Sequence, residues 1–219
     1  MKLNKILFIG LFTLLGLMAL QVPFTTVLGS NVKFTLFDFL APTAGAFLGT
    51  APGIISVLLM QIINVIIHGG RFTEIAGFIR LFPILMGVFY FSKSRKINVL
   101  FPILAIIAFN LHPIGRSAWQ YSMFWLIPVA AHFFRRNLFL RSLGATFAAH
   151  SLGGALWVWA FGLSREMWLT LIPQTMMERL LMAGGICLFY LLFANLWNLA
   201  RQKKLVPEVF QLEKKYLLN

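Results

Sequence analysis

The apolar positions of this chain fall in long, nearly unbroken runs, and the polar positions gather in the short joints between them. The clearest case is 34–71, FTLFDFLAPTAGAFLGTAPGIISVLLMQIINVIIHGGR, two apolar runs joined by the small-residue turn Gly49-Thr50-Ala51-Pro52-Gly53. A soluble core has little use for so much continuous apolar sequence. A membrane hairpin needs it, because in lipid every backbone donor and acceptor must be satisfied within the helix. The same reading predicts further spans at 6–20, 74–91, 97–111, 118–134, 138–162 and 168–200, the last opening with an amphipathic portion around Pro173. The expected fold is therefore all-α, a polytopic transmembrane bundle of six to eight helices over 1–200, followed by a basic cytoplasmic tail over 201–219. Ala41, Gly45 and Gly49 stand at intervals of four in the first half of the hairpin, and Ala145, Ala149 and Gly153 do the same in the seventh span. Such stripes let a neighbouring helix come close.

The first run, ILFIGLFTLLGLMAL after Lys2 and Lys5, also has the layout of a secretory signal. Met18 and Leu20 flank Ala19 where a small-x-small cleavage site would be needed, so a retained first helix is expected over a cleaved one.

Composition supports the membrane reading: 59% of residues are hydrophobic, 11% are charged, and mean hydropathy is +0.83. Soluble domains carry about a quarter charged residues. A net charge of +13 would suggest nucleic acid in a soluble protein. Its placement points elsewhere. If the amino terminus is inside, the inner segments hold 13 of the 19 Lys and Arg residues: Lys2, Lys5, the 93–96 loop, the 135–141 loop and the carboxyl tail. The outer loops hold Lys33, Arg71, Arg116 and Arg165, while Arg80 and Arg179 fall within spans. This asymmetry predicts a multi-pass cell-membrane protein with both termini cytoplasmic, contacting lipid rather than nucleic acid. The single cysteine, Cys187, excludes an internal disulfide.

Under that topology the chemically capable side chains collect in the outer half. Asp38, Asn64 and Arg80 lie within spans, where a polar group marks either a pocket or an interhelical hydrogen bond. Asp38, Asn64 and Gln120 are candidate hydrogen-bonding groups, Arg80 and Arg116 candidate partners for an anion, and Trp119, Tyr121 and Trp157 candidate stacking surfaces for a small solute. Aromatic residues near span ends also form interfacial belts, a reading that competes for the last three. His68 and His112 invite a metal site, but they lie in distant segments with no ligand spacing, so capping or interfacial roles are expected and no metal or cofactor is. His150-Ser151 invites a hydrolase. Neighbours on a helix point about 100° apart, so the pair does not by itself make a nucleophile and base. There is no Gly-x-x-x-x-Gly-Lys-Ser/Thr loop, so uphill transport would draw on an ion gradient or another subunit.

The outer loop PFTTVLGSNVKFTLFDFLAP, the hairpin TAGAFLGTAPGIISVLL, and a long helix at 142–162 leading into LIPQTMMERLLMAGG together resemble the substrate-binding S components of energy-coupling factor (ECF) vitamin transporters. The likeness covers 1–91 and 138–200, with an additional hairpin at 97–134 between them. It implies capture of a vitamin-like solute from outside and association with a transmembrane coupling subunit and two ATPase subunits. Metal-transporting members carry His after the initiator Met. Lys2 stands here instead, which by the resemblance argues against a metal substrate. Two other classes remain as alternatives: a membrane-embedded enzyme acting on lipids or peptides, and a scaffold without a ligand.

Overall fold

The computed structural model describes residues 2–26, 33–68, 75–93, 96–206 and 213–218. Arg71, Glu74 and Arg95 lie outside them. The chain is all-α apart from one small hairpin. Helix α1 (Lys2–Leu20) leads into strands β1 (Pro23–Thr26) and β2 (Lys33–Thr35), which pair antiparallel. Then come α2 (Phe37–Leu40), a 3-10 turn (Ala41–Thr43), α3 (Ala44–Phe47), α4 (Thr50–Ile67), α5 (Ile75–Phe91) and α6 (Ile97–Leu111). The second half holds α7 (Pro113–Ser117), α8 (Trp119–Ser122), a 3-10 turn (Met123–Trp125), α9 (Leu126–Phe133), α10 (Leu138–Ala160) and α11 (Arg165–Gln202).

Two expected helices are broken. The first half of the 34–71 hairpin is two single turns around a 3-10 segment with Pro42 in its first turn. Proline has no amide hydrogen to donate back, so the ladder loses a bond there and the helix is weakened at that point. The return segment after α6 is likewise divided. Ser117 Oγ donates to the Ile114 carbonyl at 2.7 Å and Ser122 Oγ to the Trp119 carbonyl at 2.8 Å, competing with the helical pattern at each break. Pro173, by contrast, leaves α11 continuous over its 38 residues.

Small residues set the closest approaches. α5 lies along α10, where Gly87 faces the Ala145 carbonyl and the Ala149 methyl, and Gly153 faces the Pro83 ring. A methyl at Gly45 would collide with the Val88 carbonyl and Ser92 of α5, and one at Gly53 would meet the Ala44 backbone. Gly49 has φ +93°, a conformation that only glycine adopts freely, and it turns the chain into α4. Around this seam the apolar residues form two clusters. One joins α1, α2–α5, α10 and α11 through Phe12, Phe47, Val88 and Tyr190; the other, through Phe109, Tyr121, Trp125 and Trp168, packs the 97–134 region onto the ends of α10 and α11 nearest the 161–164 connection.

The outward faces of these helices are apolar too. Ile6, Leu14 and Met18 of α1, Ile55 and Ile66 of α4, Leu104 and Ile107 of α6, and Leu181, Leu188 and Leu196 of α11 are all exposed. Among the described residues two helices, α4 and α11, are long and apolar enough to cross a membrane; parts of α1 and α5, and all of α6, are apolar but shorter.

The basic residues of the 135–141 segment and of the described tail gather at one end of the bundle and are tied down there. Arg135 donates to the Ser92 carbonyl at 2.8 Å and Arg141 to the Phe91 carbonyl at 2.9 Å. Burial lowers the Arg135 pKa from its ordinary value, with the Tyr90 phenol opposing. The described part of the tail folds back onto this end: Glu213 pairs with Arg141 at 2.5 Å, Lys215 and Tyr216 donate to the Arg136 carbonyl, and Asn195 holds both the Tyr216 carbonyl and the Leu218 amide.

Two glycines separate close packing from mere helix propensity. Gly45→Ala is expected to destabilise the protein by about 1–3 kcal/mol through overpacking against α5. Gly184→Ala, where nothing lies within 4 Å of the added carbon, is expected to stabilise it by about 0.5–1 kcal/mol. Thermal unfolding of the two variants in detergent checks the opposite signs.

Candidate functional site

At the end of the bundle opposite the basic residues, the helices part around a cavity of about 970 Å³. Its wall is built from one face of each of several helices. Gln61, Asn64 and His68 of α4 recur at three and four residues, as do Gly77, Arg80, Leu81 and Ile84 of α5. α10 contributes Thr146, His150, Gly153 and Trp157, and α11 contributes Leu171, Gln174, Glu178 and Met182. These are the spacings that stack side chains on one helical face. The β1–β2 hairpin and the end of α1 add Pro23, Phe34, Thr35 and Gln21, and Asp38 enters from α2.

Four formal charges line this space. Asp38 accepts from the Thr35 amide at 2.8 Å and lies within electrostatic range of both Arg80 and Arg179. Arg179 is 5% exposed, stands over the Phe34 ring at 5.0 Å, and reaches the Glu178 carboxylate through one nitrogen at 3.4 Å. Glu178 accepts a shorter bond, 2.7 Å, from Gln174. A neutral chain lies deeper: the Tyr121 hydroxyl sits 3.0 Å from Thr175 Oγ1 and 3.0 Å from His150 Nε2. Gln61 Nε2 and Arg179 Nε are buried without a hydrogen-bond partner.

Of the side chains proposed from sequence, Asp38, Asn64, Arg80, Tyr121 and Trp157 line the cavity together. Asn64 serves two purposes, since its side-chain oxygen also accepts from Gln21 at 2.8 Å and so ties α4 to the end of α1. Arg116, Trp119 and Gln120 do not line it. Arg116 Nε turns back to the Asn110 carbonyl at 3.4 Å, and Trp119 is half exposed. In the short helix α8 consecutive side chains diverge by about 100°, so turning Tyr121 inward sends Trp119 and Gln120 elsewhere.

Arg179, Glu178, Gln174 and Gln61 line the cavity as well, although the sequence alone gives Arg179, Glu178 and Gln61 no part in a solute site and weighs His150 only as half of a hydrolase pair. The signal for Gln174, Glu178 and Arg179 was their spacing with Leu171 and Met182 along α11. Ser151 is buried and donates to the Ala148 carbonyl at 2.8 Å, while His150 faces Tyr121. The pair shares no hydrogen bond among the described residues. His112 accepts from the Ile114 amide at 3.3 Å and caps α7; a ring nitrogen of His68 lies 2.8 Å from the Asn64 carbonyl. Among the described residues no three His, Cys, Asp or Glu side chains converge as a metal site would require.

Compared with known proteins, the chain matches no family model, no curated protein and no solved structure.

Removing the Tyr121 hydroxyl leaves both Thr175 and His150 without their shared partner. Tyr121→Phe is expected to cost about 1–3 kcal/mol, read as a lower midpoint of thermal unfolding. An unchanged midpoint would show that this chain does not hold α8, α10 and α11 together.

Proposed function

We propose that the chain is a polytopic helical membrane protein that binds a small, vitamin-like solute from the outer side, as a subunit like the S components of ECF transporters. The observation that carries this reading is the pairing of a roomy polar cavity at one end of the bundle with anchored basic loops at the other. Basic loops face the cytoplasm in membrane proteins, so the cavity opens outward and both termini lie inside. The exposed Leu and Ile side chains of α1, α4, α6 and α11 then face lipid, where their exposure costs nothing.

The cavity volume lies at the upper end of the range for small-molecule sites, and its wall has their usual make-up, mostly apolar with a few placed polar groups. Asp38, Asn64, Arg80, Tyr121 and Trp157 are the proposed contacts from the sequence reading, joined by Arg179, Glu178 and Gln61. The chain has no nucleotide-binding loop, so movement of the solute against a gradient falls to partner subunits: a transmembrane coupling protein and ATPases.

Purification in mild detergent followed by mass spectrometry of released small molecules tests the capture step. Wild-type protein is expected to carry a solute that Trp157→Ala, which removes an aromatic wall of the cavity away from the seam, does not. Wild-type protein that arrives empty would count against capture. Uptake in cells with and without coupling and ATPase subunits tests the partners; uptake that persists without them would leave a secondary carrier.

A further inference from the structure

The charges in the cavity specify more than a polar solute. Arg179 is a nearly fully buried cation whose guanidinium has five N–H donors. One nitrogen makes a long 3.4 Å contact with Glu178, which is already held at 2.7 Å by Gln174, and Nε has no partner. A buried cation in that state carries a desolvation cost that an acceptor in the cavity would relieve. Asp38 is the complementary case. One of its oxygens takes the Thr35 amide, and the carboxylate lies within electrostatic range of both arginines.

A net anion and a zwitterion would both satisfy Arg179, and the charge balance chooses between them. Among the described residues the lining holds two cations, Arg80 and Arg179, and two anions, Asp38 and Glu178. A net anion would add an uncompensated charge within range of the Asp38 carboxylate. A solute carrying one charge of each sign leaves that sum at zero and engages both the partly satisfied guanidinium and the Asp38 carboxylate.

Resting on the capture reading above, we propose that the cavity takes a small zwitterion, its carboxylate on Arg179 and its cationic group on Asp38, with an apolar body against Trp157, Trp168 and Leu171. Charge-assisted bonds at a desolvated site discriminate by about tenfold or more against an analogue lacking one charge.

Two sets of matched probes test this in nanodiscs by calorimetry: tryptophan, 3-indolepropionate and tryptamine, and phenylalanine, 3-phenylpropionate and 2-phenylethylamine. In at least one set the zwitterion is expected to bind tenfold or more tighter than both of its singly charged analogues. Arg179→Gln should bring the zwitterion to within about twofold of the amine, and Asp38→Asn to within about twofold of the acid. Arg179→Lys, which keeps charge but loses the planar fork, should retain part of the preference. Each ratio is taken within one variant, so a smaller folded fraction does not change it. A singly charged analogue binding as tightly as the zwitterion, or ratios that survive both substitutions, would overturn the proposal and leave solute capture standing. If none of the six probes binds although a solute co-purifies, the zwitterion proposal alone fails. If none binds and none co-purifies, both fail.

Discussion

The seam between α5 and α10 is the constraint on which the rest of the structure depends. Gly87 lies against the Ala145 carbonyl and Ala149, and Gly153 against the Pro83 ring, so the two helices meet with little side chain between them. In an apolar solvent this kind of contact matters, because burying apolar area brings little gain when the surroundings are themselves apolar and close dispersion contact must hold helices together. With α5 and α10 fixed, α4 and α11 are carried on either side of them. The residues that allow the close approach also leave the space beyond it open: Ala145, Ala149 and Gly153 belong to the cavity wall as well as to the seam. Larger side chains there would part the helices and fill the cavity at once.

Much of this was legible in the amino-acid pattern. The long apolar runs announced the helices, and the small-residue intervals at 41–49 and 145–153 announced where backbones approach. Asp38, Asn64 and Arg80 were recognisable because a polar side chain in an apolar run needs a reason. The breaks in α2–α3 and α7–α9 were harder to see. They depend on Pro42 and on serine hydroxyls competing for nearby carbonyls, which are local effects inside stretches whose average character is helical. The direction of each loop-borne side chain was beyond reach. Arg116, Trp119, Gln120 and Tyr121 are near neighbours in sequence, and only a turn of α8 decides that one of them enters the cavity. Arg179 shows a different gap. Its burial depends on Phe34, 145 positions earlier by number, arriving over its guanidinium, and no local pattern encodes that meeting.

The polar groups of the cavity divide by depth and by kind. Tyr121, Thr175 and His150 satisfy one another and link three helices, a structural function that a solute need not disturb. The charged set nearer the hairpin is only partly satisfied. A protein that leaves a buried guanidinium with a free donor accepts a cost in stability that a purely structural network would have removed. The charged set, and not the neutral chain, therefore has bonding capacity left over for a solute.

The folded-back tail gives the molecule a mechanical asymmetry. α10 and α11 are joined at the cavity end by residues 161–164 and clasped at the other by the Arg141–Glu213 pair, with Asn195 gripping the same returning segment. Covalent linkage at one end and the clasp at the other make these two rods a closed frame that resists shear. The first half of the chain is fastened at the same end: Thr50 of α4 donates to Ser92 at 3.0 Å, and Arg135 and Arg141 hold the carbonyls of Ser92 and Phe91 where α5 ends. All four helices around the chamber are thus pinned at the end away from it, which makes that end a common footing from which the walls rise.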